Sequence, residues 1–162
     1  MQSKFVAAQP WLSLLFRLTL GTVLLLAGYL KAINLQKSAM AVRAYEILPV
    51  SVANILGHIL PWFEIAIGAL LIIGAAVKIS SALGGFTMLM FIIAISQAWA
   101  RGLSIDCGCF GGGGQVEPGT ANYLPELLRD GGLALLAIYL FRYPQSKFGL
   151  DRQRKDGEQI NG

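Results

Sequence analysis

Charged residues are scarce in this sequence: they make up 14% of its 162 residues, whereas hydrophobic residues make up 55%. A soluble domain carries about 25% charged residues, so most of this chain is expected to lie in an apolar environment. The mean hydropathy of +0.60 points the same way. The net charge of +4 is concentrated in the C-terminal tail, and no basic patch is interleaved with aromatic residues. Both features argue against nucleic-acid binding.

Cysteine and histidine are also scarce, with two cysteines and one histidine in the whole sequence. Two cysteines cannot form the framework of several bridges that holds a small secreted domain together, so reactive or metal-ligating roles are favoured. The first apolar run is also not expected to be a cleavable signal peptide. The first apolar run is too long for one, contains Arg17, and is not followed by a small-x-small cleavage site. We therefore interpret this run as a retained helix.

Long apolar segments are what the sequence has in place of charge. A helix needs roughly 20 apolar residues to cross a bilayer, and the fourth segment reaches this length only if it begins near Leu124. The sequence therefore predicts an all-α fold, a four-helix transmembrane bundle within residues 1–145, followed by a basic polar tail at 146–162. The four predicted spans are residues 11–32, 52–77, 79–100 and 124–143.

The number of spans and the basic tail together predict the orientation in the membrane. Four spans place both termini on one side, and the basic tail makes that side cytoplasmic. The loop that carries the cysteines then lies outside, where disulfides persist. We predict a multi-pass protein of a bacterial cell membrane. Residues 33–49 repeat apolar side chains at helical spacing, which fits either a short helix on the outer membrane surface, covering the cysteines, or a plain connector.

Charged residues inside a span are costly and suggest either a function or a buried pair. Arg17 lies about 21 Å of helix below Lys31. Glu64 lies about 18 Å of helix below Val52. If Lys31 and Val52 both mark the outer boundary of the membrane, Arg17 and Glu64 lie at similar depth. Each also lies on a stripe of small side chains, so we predict an Arg17–Glu64 ion pair. The pair either fixes the register of the helices or handles protons or a ligand. The candidate cofactor-binding residues are Arg17, Glu64 and Gln97.

Two further residues are candidates for proton transfer near the cysteines. His58 lies in the outer third of the second span, where it is either a packing residue or an acceptor of a thiol or quinol proton. Asp130 lies at the outer start of the fourth span, with Glu126 one turn earlier and Arg129 beside it. It either anchors the helix at the interface or forms part of a proton route.

The two cysteines lie two residues apart in a polar, glycine-rich loop, in the motif Asp106-Cys107-Gly108-Cys109-Phe110-Gly111. Such a small disulfide ring needs a turn at the central glycine and is strained, and strained disulfides are labile. A structural bridge would close almost no loop and add little stability. A Cu(I) clip would need more soft ligands than His58 and Met40 supply. The spacing therefore favours an exposed couple suited to thiol–disulfide exchange.

Several motifs occur in the order expected of one known family, and together they extend from the first span to the fourth. On these residues the chain resembles the MauE branch of the DoxX-like membrane proteins. The resemblance implies a four-helix membrane bundle that takes part in extracytoplasmic thiol–disulfide chemistry with a thioredoxin-like partner. The motifs are Arg17, Gly28-Tyr29-Leu30-Lys31, Tyr45-Glu46-Ile47-Leu48-Pro49, Leu60-Pro61-Trp62-Phe63-Glu64 with Gly68, and the cysteine motif itself.

By analogy with DsbB and the vitamin K epoxide reductase family, the resemblance also implies a membrane quinone as electron carrier. Unlike those proteins, this chain has no second cysteine pair. We predict a thiol–disulfide oxidoreductase in which Cys107 and Cys109 either serve both the partner and a quinone or serve the partner without any cofactor. His58 or Asp130 is predicted to manage the protons. The alternative is a non-catalytic subunit or assembly factor of a larger membrane complex, with the cysteine loop as a docking or metal- or ligand-binding element.

Overall fold

The structure is a computed structural model that describes residues 2–146 and 148–150. Within them the chain forms five helices and one short hairpin, so the predicted helical fold is confirmed and the hairpin is added to it. The long helices α1, α3, α4 and α5 pack side by side, α1 mainly on α3 and α4 mainly on α5. The elements are α1 Gln2–Ile33, α2 Leu35–Ala44, α3 Val50–Ile73, α4 Val77–Ala100, β1 Ile105–Asp106, β2 Gly114–Gln115 and α5 Tyr123–Arg142.

Helices α1 and α3 pack backbone against backbone through glycines. A Cβ atom added to Gly28 would lie 2.6 Å from the carbonyl oxygen of Pro61, and one added to Gly68 would lie 2.7 Å from the carbonyl oxygen of Gly21. Small residues allow this close approach between helices in an apolar environment. The close approach expected from the small-residue stripes is therefore confirmed.

The short helix α2 follows α1 almost directly and packs on the first turns of α3. Asn34 caps it, because its side chain accepts a hydrogen bond from the Lys37 amide at 3.1 Å. Ser38 Oγ donates to the carbonyl oxygen of Gly57 at 2.6 Å, and the absent side chain of Gly57 lets the backbone of Ala39 approach. Of the two interpretations of residues 33–49, a short helix and a plain connector, the structure shows the helix.

Three helical segments are long and apolar enough to cross a membrane: Gln9–Ile33, Val50–Ile73 and Val77–Ala100. The second predicted span is too long at its end, because Gly74 adopts a left-handed conformation (φ 77°) and terminates α3 at Ile73. Helix α5 has the length expected of the fourth span but carries several charges in its first turns. Its crossing of the membrane and the cytoplasmic position of both termini stay predictions. The basic residues of the predicted tail, Lys147, Arg152, Arg154 and Lys155, lie outside the described residues.

Candidate functional site

A tight hairpin carries the two cysteines. Strands β1 and β2 are antiparallel, with Ile105 opposite Gln115 and Asp106 opposite Gly114, so residues 107–113 form the loop between them. Asp106 Oδ1 accepts a hydrogen bond from the Gly108 amide at 3.2 Å. Gly108 has φ 69°, a left-handed conformation that glycine adopts without steric cost. The local sequence thus bends the chain between the two sulfur atoms.

Both cysteine side chains are buried, and this corrects the expectation of an exposed loop. Cys107 is 9% exposed and Cys109 is 4% exposed. A Cβ atom on Gly108 would lie 2.5 Å from Cβ of Ala41 in α2, and one on Gly111 would lie 3.0 Å from the carbonyl oxygen of Leu30. The glycines therefore let the loop pack flat under α2 and against the end of α1 instead of extending into solvent.

The two cysteines are free thiols that interact directly with each other. The Cys109 amide donates to Cys107 Sγ at 3.3 Å. A hydrogen bond between the thiols lowers the pKa of Cys109, with burial and Asp130 opposing this and Lys31 and Arg129 supporting it. The same hydrogen bond, together with burial, raises the pKa of Cys107. The site therefore stabilises one thiolate, on Cys109, and keeps Cys107 protonated.

Arg101, the basic residue directly after α4, has partners other than the two thiols. Its Nη2 forms an exposed ion pair with Glu46 Oε2 at 3.0 Å, and its Nη1 contacts the carbonyl oxygen of Tyr45 at 3.3 Å. Tyr45 in turn donates its hydroxyl to the carbonyl oxygen of Cys107 at 3.0 Å. Tyr45 thus links the end of α2 to the cysteine loop, a role that its position after a predicted helix did not reveal.

Glu126 lies at the cysteine site, although the sequence analysis named it only as a neighbour of Asp130 at the start of the fourth span. A carboxylate oxygen of Glu126, one of Asp106 and Cys107 Sγ all lie within 4.8 Å of one another. Glu126 can therefore accept the proton of Cys107. The sequence does contain a feature that could have identified Glu126 as a site residue: it is four residues from Asp130, so the two share one face of α5. Two carboxylates and a thiolate are also ligands that Zn²⁺ accepts.

Asp130 lies beside the cysteine loop, where the sequence predicted it. It is 1% exposed, and its Oδ1 accepts from Arg129 Nε at 2.8 Å. Asp130, Arg129 and Cys109 border a cavity of about 10 Å³. Oδ2 of Asp130 is buried and has no hydrogen-bond partner within the described part of the chain. A cavity of this size accommodates a single water molecule, which would connect this oxygen to the cavity wall.

The predicted Arg17–Glu64 ion pair is wrong, because Lys31 takes that place. Lys31 Nζ lies 2.7 Å and 2.9 Å from the two carboxylate oxygens of Glu64. The two side chains are 4% and 0% exposed. Arg17 instead donates from Nη1 to Ser146 Oγ at 2.5 Å, near the end of α3 at Gly74.

The error arose from the relative height of two helices. Gly28 faces Pro61, whereas Gly57 faces Ala39 of α2. The first two turns of α3 therefore extend beyond α1 and pack on α2. The predicted depth of Glu64, counted from the outer end of its helix, is therefore wrong by about two helical turns relative to α1. Glu64 lies level with the last turn of α1.

His58 and Gln97 make contacts that do not involve the cysteine sulfurs. His58 Nδ1 lies 2.7 Å from the carbonyl oxygen of Asn54 in its own helix. His58 is not among the residues that line the cavities of about 10 and 30 Å³ beside the cysteines. Gln97 Nε2 donates to the carbonyl oxygen of Tyr45 at 2.9 Å. Gln97 therefore joins α4 to the end of α2, and its predicted role toward a cofactor stays a prediction.

Comparison with known proteins adds a family to this geometry. The chain is 34% identical over 102 residues to the methylamine utilization protein MauE of Methylorubrum extorquens. The aligned region covers 61% of this chain and 52% of that protein. The chain thus spans about half the length of the curated relative it matches. No solved structure matches it. The family model described as methylamine utilisation protein MauE matches residues 9–143. With three helices able to cross a membrane, the chain is an integral membrane protein that belongs to the MauE family.

Proposed function

We propose that this protein is a membrane thiol–disulfide oxidoreductase that exchanges a Cys107–Cys109 disulfide with an extracytoplasmic, thioredoxin-like partner. The observation that carries the proposal is the hydrogen-bonded pair of thiols, in which the pKa of Cys109 is lowered and that of Cys107 is raised. This division matches a nucleophile and a resolving thiol. The cations and carboxylates around the pair supply the charge and the proton acceptor that such a reaction needs.

The exchange proceeds in two balanced steps. The Cys109 thiolate attacks a partner disulfide, forming a mixed disulfide and releasing one partner sulfur as a thiolate. Cys107 then loses its proton to Glu126, which lies within reach of its sulfur, and attacks Cys109 Sγ. This second step releases the other partner sulfur. The partner gains two electrons and leaves as two thiolates, which take up the proton held by Glu126 and one proton from water. The cysteine pair loses the two electrons, and the reverse reaction follows the same path.

A partner can reach the sulfurs only after the cover moves. Ala41 of α2 packs over Gly108 and over Gly113, so the closed structure leaves little room for a second polypeptide. Helix α2 packs on the first turns of α3, where Ser38 donates to the carbonyl oxygen of Gly57 and Ala39 contacts the backbone of Gly57. We therefore propose that docking of the partner displaces α2 from the cysteine loop.

A membrane quinone is the proposed second substrate. Two thiols and a quinone give a disulfide and a quinol, with two electrons and two protons transferred. The cavities beside the cysteines measure about 10 and 30 Å³, which suits water and not a quinone ring. The quinone would therefore bind at the lipid-facing surface or after the movement of α2. Extraction of the purified protein with organic solvent, followed by chromatography, measures bound quinone directly.

The test of the exchange is a trapping experiment in cells. Replacement of the resolving thiol in Cys107→Ser leaves Cys109 to form a mixed disulfide that cannot be resolved. We expect a partner adduct on a non-reducing gel that disappears on reduction, and less adduct for Cys109→Ser. The variant lacking both cysteines is the control. Failure of both single-cysteine variants to trap any thiol partner, at normal expression, would contradict the proposal.

A metal site is the second candidate function, favoured by the cluster of Asp106, Cys107 and Glu126. In that case the loop holds a cation such as Zn²⁺ and the thiols do not exchange. Titration of the purified, reduced protein with Zn²⁺ distinguishes the two functions. Tight binding that is lost in Glu126→Gln, together with absence of any trapped partner, would favour the metal site.

A further inference from the structure

The C-terminal end of α2 is tied by hydrogen bonds both to the cysteine loop and to α4. Tyr45, the residue that closes α2, is 7% exposed. Its hydroxyl donates to the carbonyl oxygen of Cys107 at 3.0 Å. Its own carbonyl oxygen accepts from Gln97 Nε2 at 2.9 Å and from Arg101 Nη1 at 3.3 Å. Tyr45 thus connects three parts of the molecule at the edge of the thiol site.

The next residue, Glu46, extends this contact to the protein surface. Arg101 lies 3.0 Å from the Glu46 carboxylate and donates to the Glu46 carbonyl oxygen at 3.3 Å. The two side chains are 45% and 51% exposed. Glu46 has φ 50°, a left-handed conformation that is costly for a residue other than glycine and persists only where its surroundings enforce it. Arg101 supplies that enforcement, because it holds both the backbone and the side chain of Glu46.

The two halves of α2 are held by different contacts. The N-terminal half follows α1 directly and packs on α3, where Ser38 donates to the carbonyl oxygen of Gly57. In the C-terminal half, Ala41 lies against Gly108 and Gly113 of the cysteine loop. Contact between a methyl group and a glycine is short-ranged and is largely lost once a small gap opens. Closure of the C-terminal half therefore depends on the hydrogen bonds beyond Ala41.

We propose that Tyr45 and Arg101 are positioning residues of a latch, formed by Tyr45, Glu46, Gln97 and Arg101, that controls which reagents reach the thiols. With the latch closed, the cavities beside the sulfur atoms measure about 10 and 30 Å³ and admit molecules of the size of water. A polypeptide substrate reaches the sulfur atoms only after the latch opens. The exposed ion pair is the part of the latch that a docking partner can contact. This inference rests on the proposed function, because it assigns control of access to the same thiols.

Two measurements on the purified, reduced full chain in detergent test the latch. Hydrogen exchange followed by mass spectrometry reports the opening of residues 40–46, and maleimide labelling at one fixed pH reports access to the cysteines. Both rates follow the population of the open form when reclosing is fast. Tyr45→Phe removes only the hydroxyl that binds the cysteine loop. We expect both rates to rise about fivefold, which corresponds to the loss of about 1 kcal/mol.

Arg101→Met tests the exposed part of the latch. In the starting protein, about 1 M KCl should speed labelling about twofold, because an exposed ion pair is weak and is screened at this concentration. Arg101→Met should label faster than the starting protein at low salt and should no longer respond to KCl. Lys37→Met is the matched control: it removes an exposed cation of α2 whose backbone amide, and not its side chain, makes the cap contact with Asn34. It should leave both rates unchanged.

Three results would overturn the proposal. The first is unchanged hydrogen exchange and labelling in Tyr45→Phe, which remains informative even if Arg101→Met fails to fold. The second is equal acceleration of exchange in Val50–Ile73, since the residue would then stabilise the whole fold and not the closed state of α2. The third is faster exchange of residues 40–46 without faster labelling. Neither measurement needs a partner, so failure of the latch is distinct from failure of the trapping experiment, which tests the proposed function.

Discussion

Helix α1 buries two cations, Arg17 near its middle and Lys31 near its C-terminal end, and the two have different partners. Arg17 is 3% exposed and binds Ser146 in the segment after α5. Lys31 is 4% exposed and binds Glu64 beside the cysteine loop. The first holds the C-terminal segment against the turn between α3 and α4. The second brings a full charge pair to the edge of two thiols. One buried cation of α1 thus anchors the C-terminal segment, and the other forms an ion pair beside the cysteine loop.

The largest expected effect is on the stability of the Lys31 end. Replacing Glu64 by Leu leaves Lys31 buried without its carboxylate, and breaking a buried pair in this way costs about 3–5 kcal/mol. Chemical unfolding in detergent measures this loss. The double variant Lys31→Met with Glu64→Leu should recover most of it, because no charge is then left buried. A double variant as unstable as the single one would show that the loss comes from packing and not from charge.

The next effect concerns the cover over the cysteines. Gly57→Ala places a methyl group against the backbone of Ala39, and overpacking of this kind costs up to about 3 kcal/mol. It should also lift α2 and speed the labelling of the cysteines by maleimide. Gly132→Ala is the matched control, because a Cβ atom there meets nothing within 4 Å. Equal labelling rates for the two variants would contradict the role of α2 as the cover.

The contact of Arg17 with Ser146 should contribute less to stability and leave the reactivity of the thiols unchanged. Ser146→Ala removes a hydrogen bond to a charged group, which costs about 1.5 kcal/mol. Because Arg17 lies about 21 Å along α1 from Lys31, far from the thiols, the pH midpoint for alkylation of Cys109 should not move. A shift of that midpoint would show that the two positions on the helix are coupled.

The smallest effect is the contribution of Cys107 to the acidity of Cys109. The hydrogen bond from Cys107 lowers the pKa of Cys109, so the Cys109 thiolate persists to lower pH than an ordinary thiol. Cys107→Ser keeps a donor and should keep most of this shift. Cys107→Ala removes the donor, so its alkylation midpoint should lie higher by up to about one pH unit. Identical profiles for the two variants would exclude the hydrogen bond as the cause.

Much of the fold is predictable from the sequence because it depends on local patterns. The apolar segments predict the long helices, and the small residues at Gly21, Gly28 and Gly68 predict the face on which α1 meets α3. The helical spacing within residues 33–49 predicts α2. The cysteine motif identifies the site by its chemistry alone.

The wrong predictions concern the axial position of one helix relative to another and the packing of a loop. Local sequence patterns determine neither of these. Spacing shows which face of a helix carries Glu64, but it does not show how far α3 extends beyond α1. That offset exchanges Arg17 for Lys31 as the partner. A polar, glycine-rich loop predicts exposed cysteines, and this prediction is wrong. The lack of side chains on its glycines allows the loop to pack closely under Ala41.

The central claim is that Cys107 and Cys109 form a reversible redox couple, and a redox titration tests it most directly. The purified protein is equilibrated in glutathione buffers of increasing oxidation, alkylated, and its free thiols are counted by mass spectrometry. We predict a single two-electron transition from two free thiols to none, reversed by reduction. A protein that keeps both thiols free in every buffer, or forms only mixed disulfides with glutathione, would contradict the account.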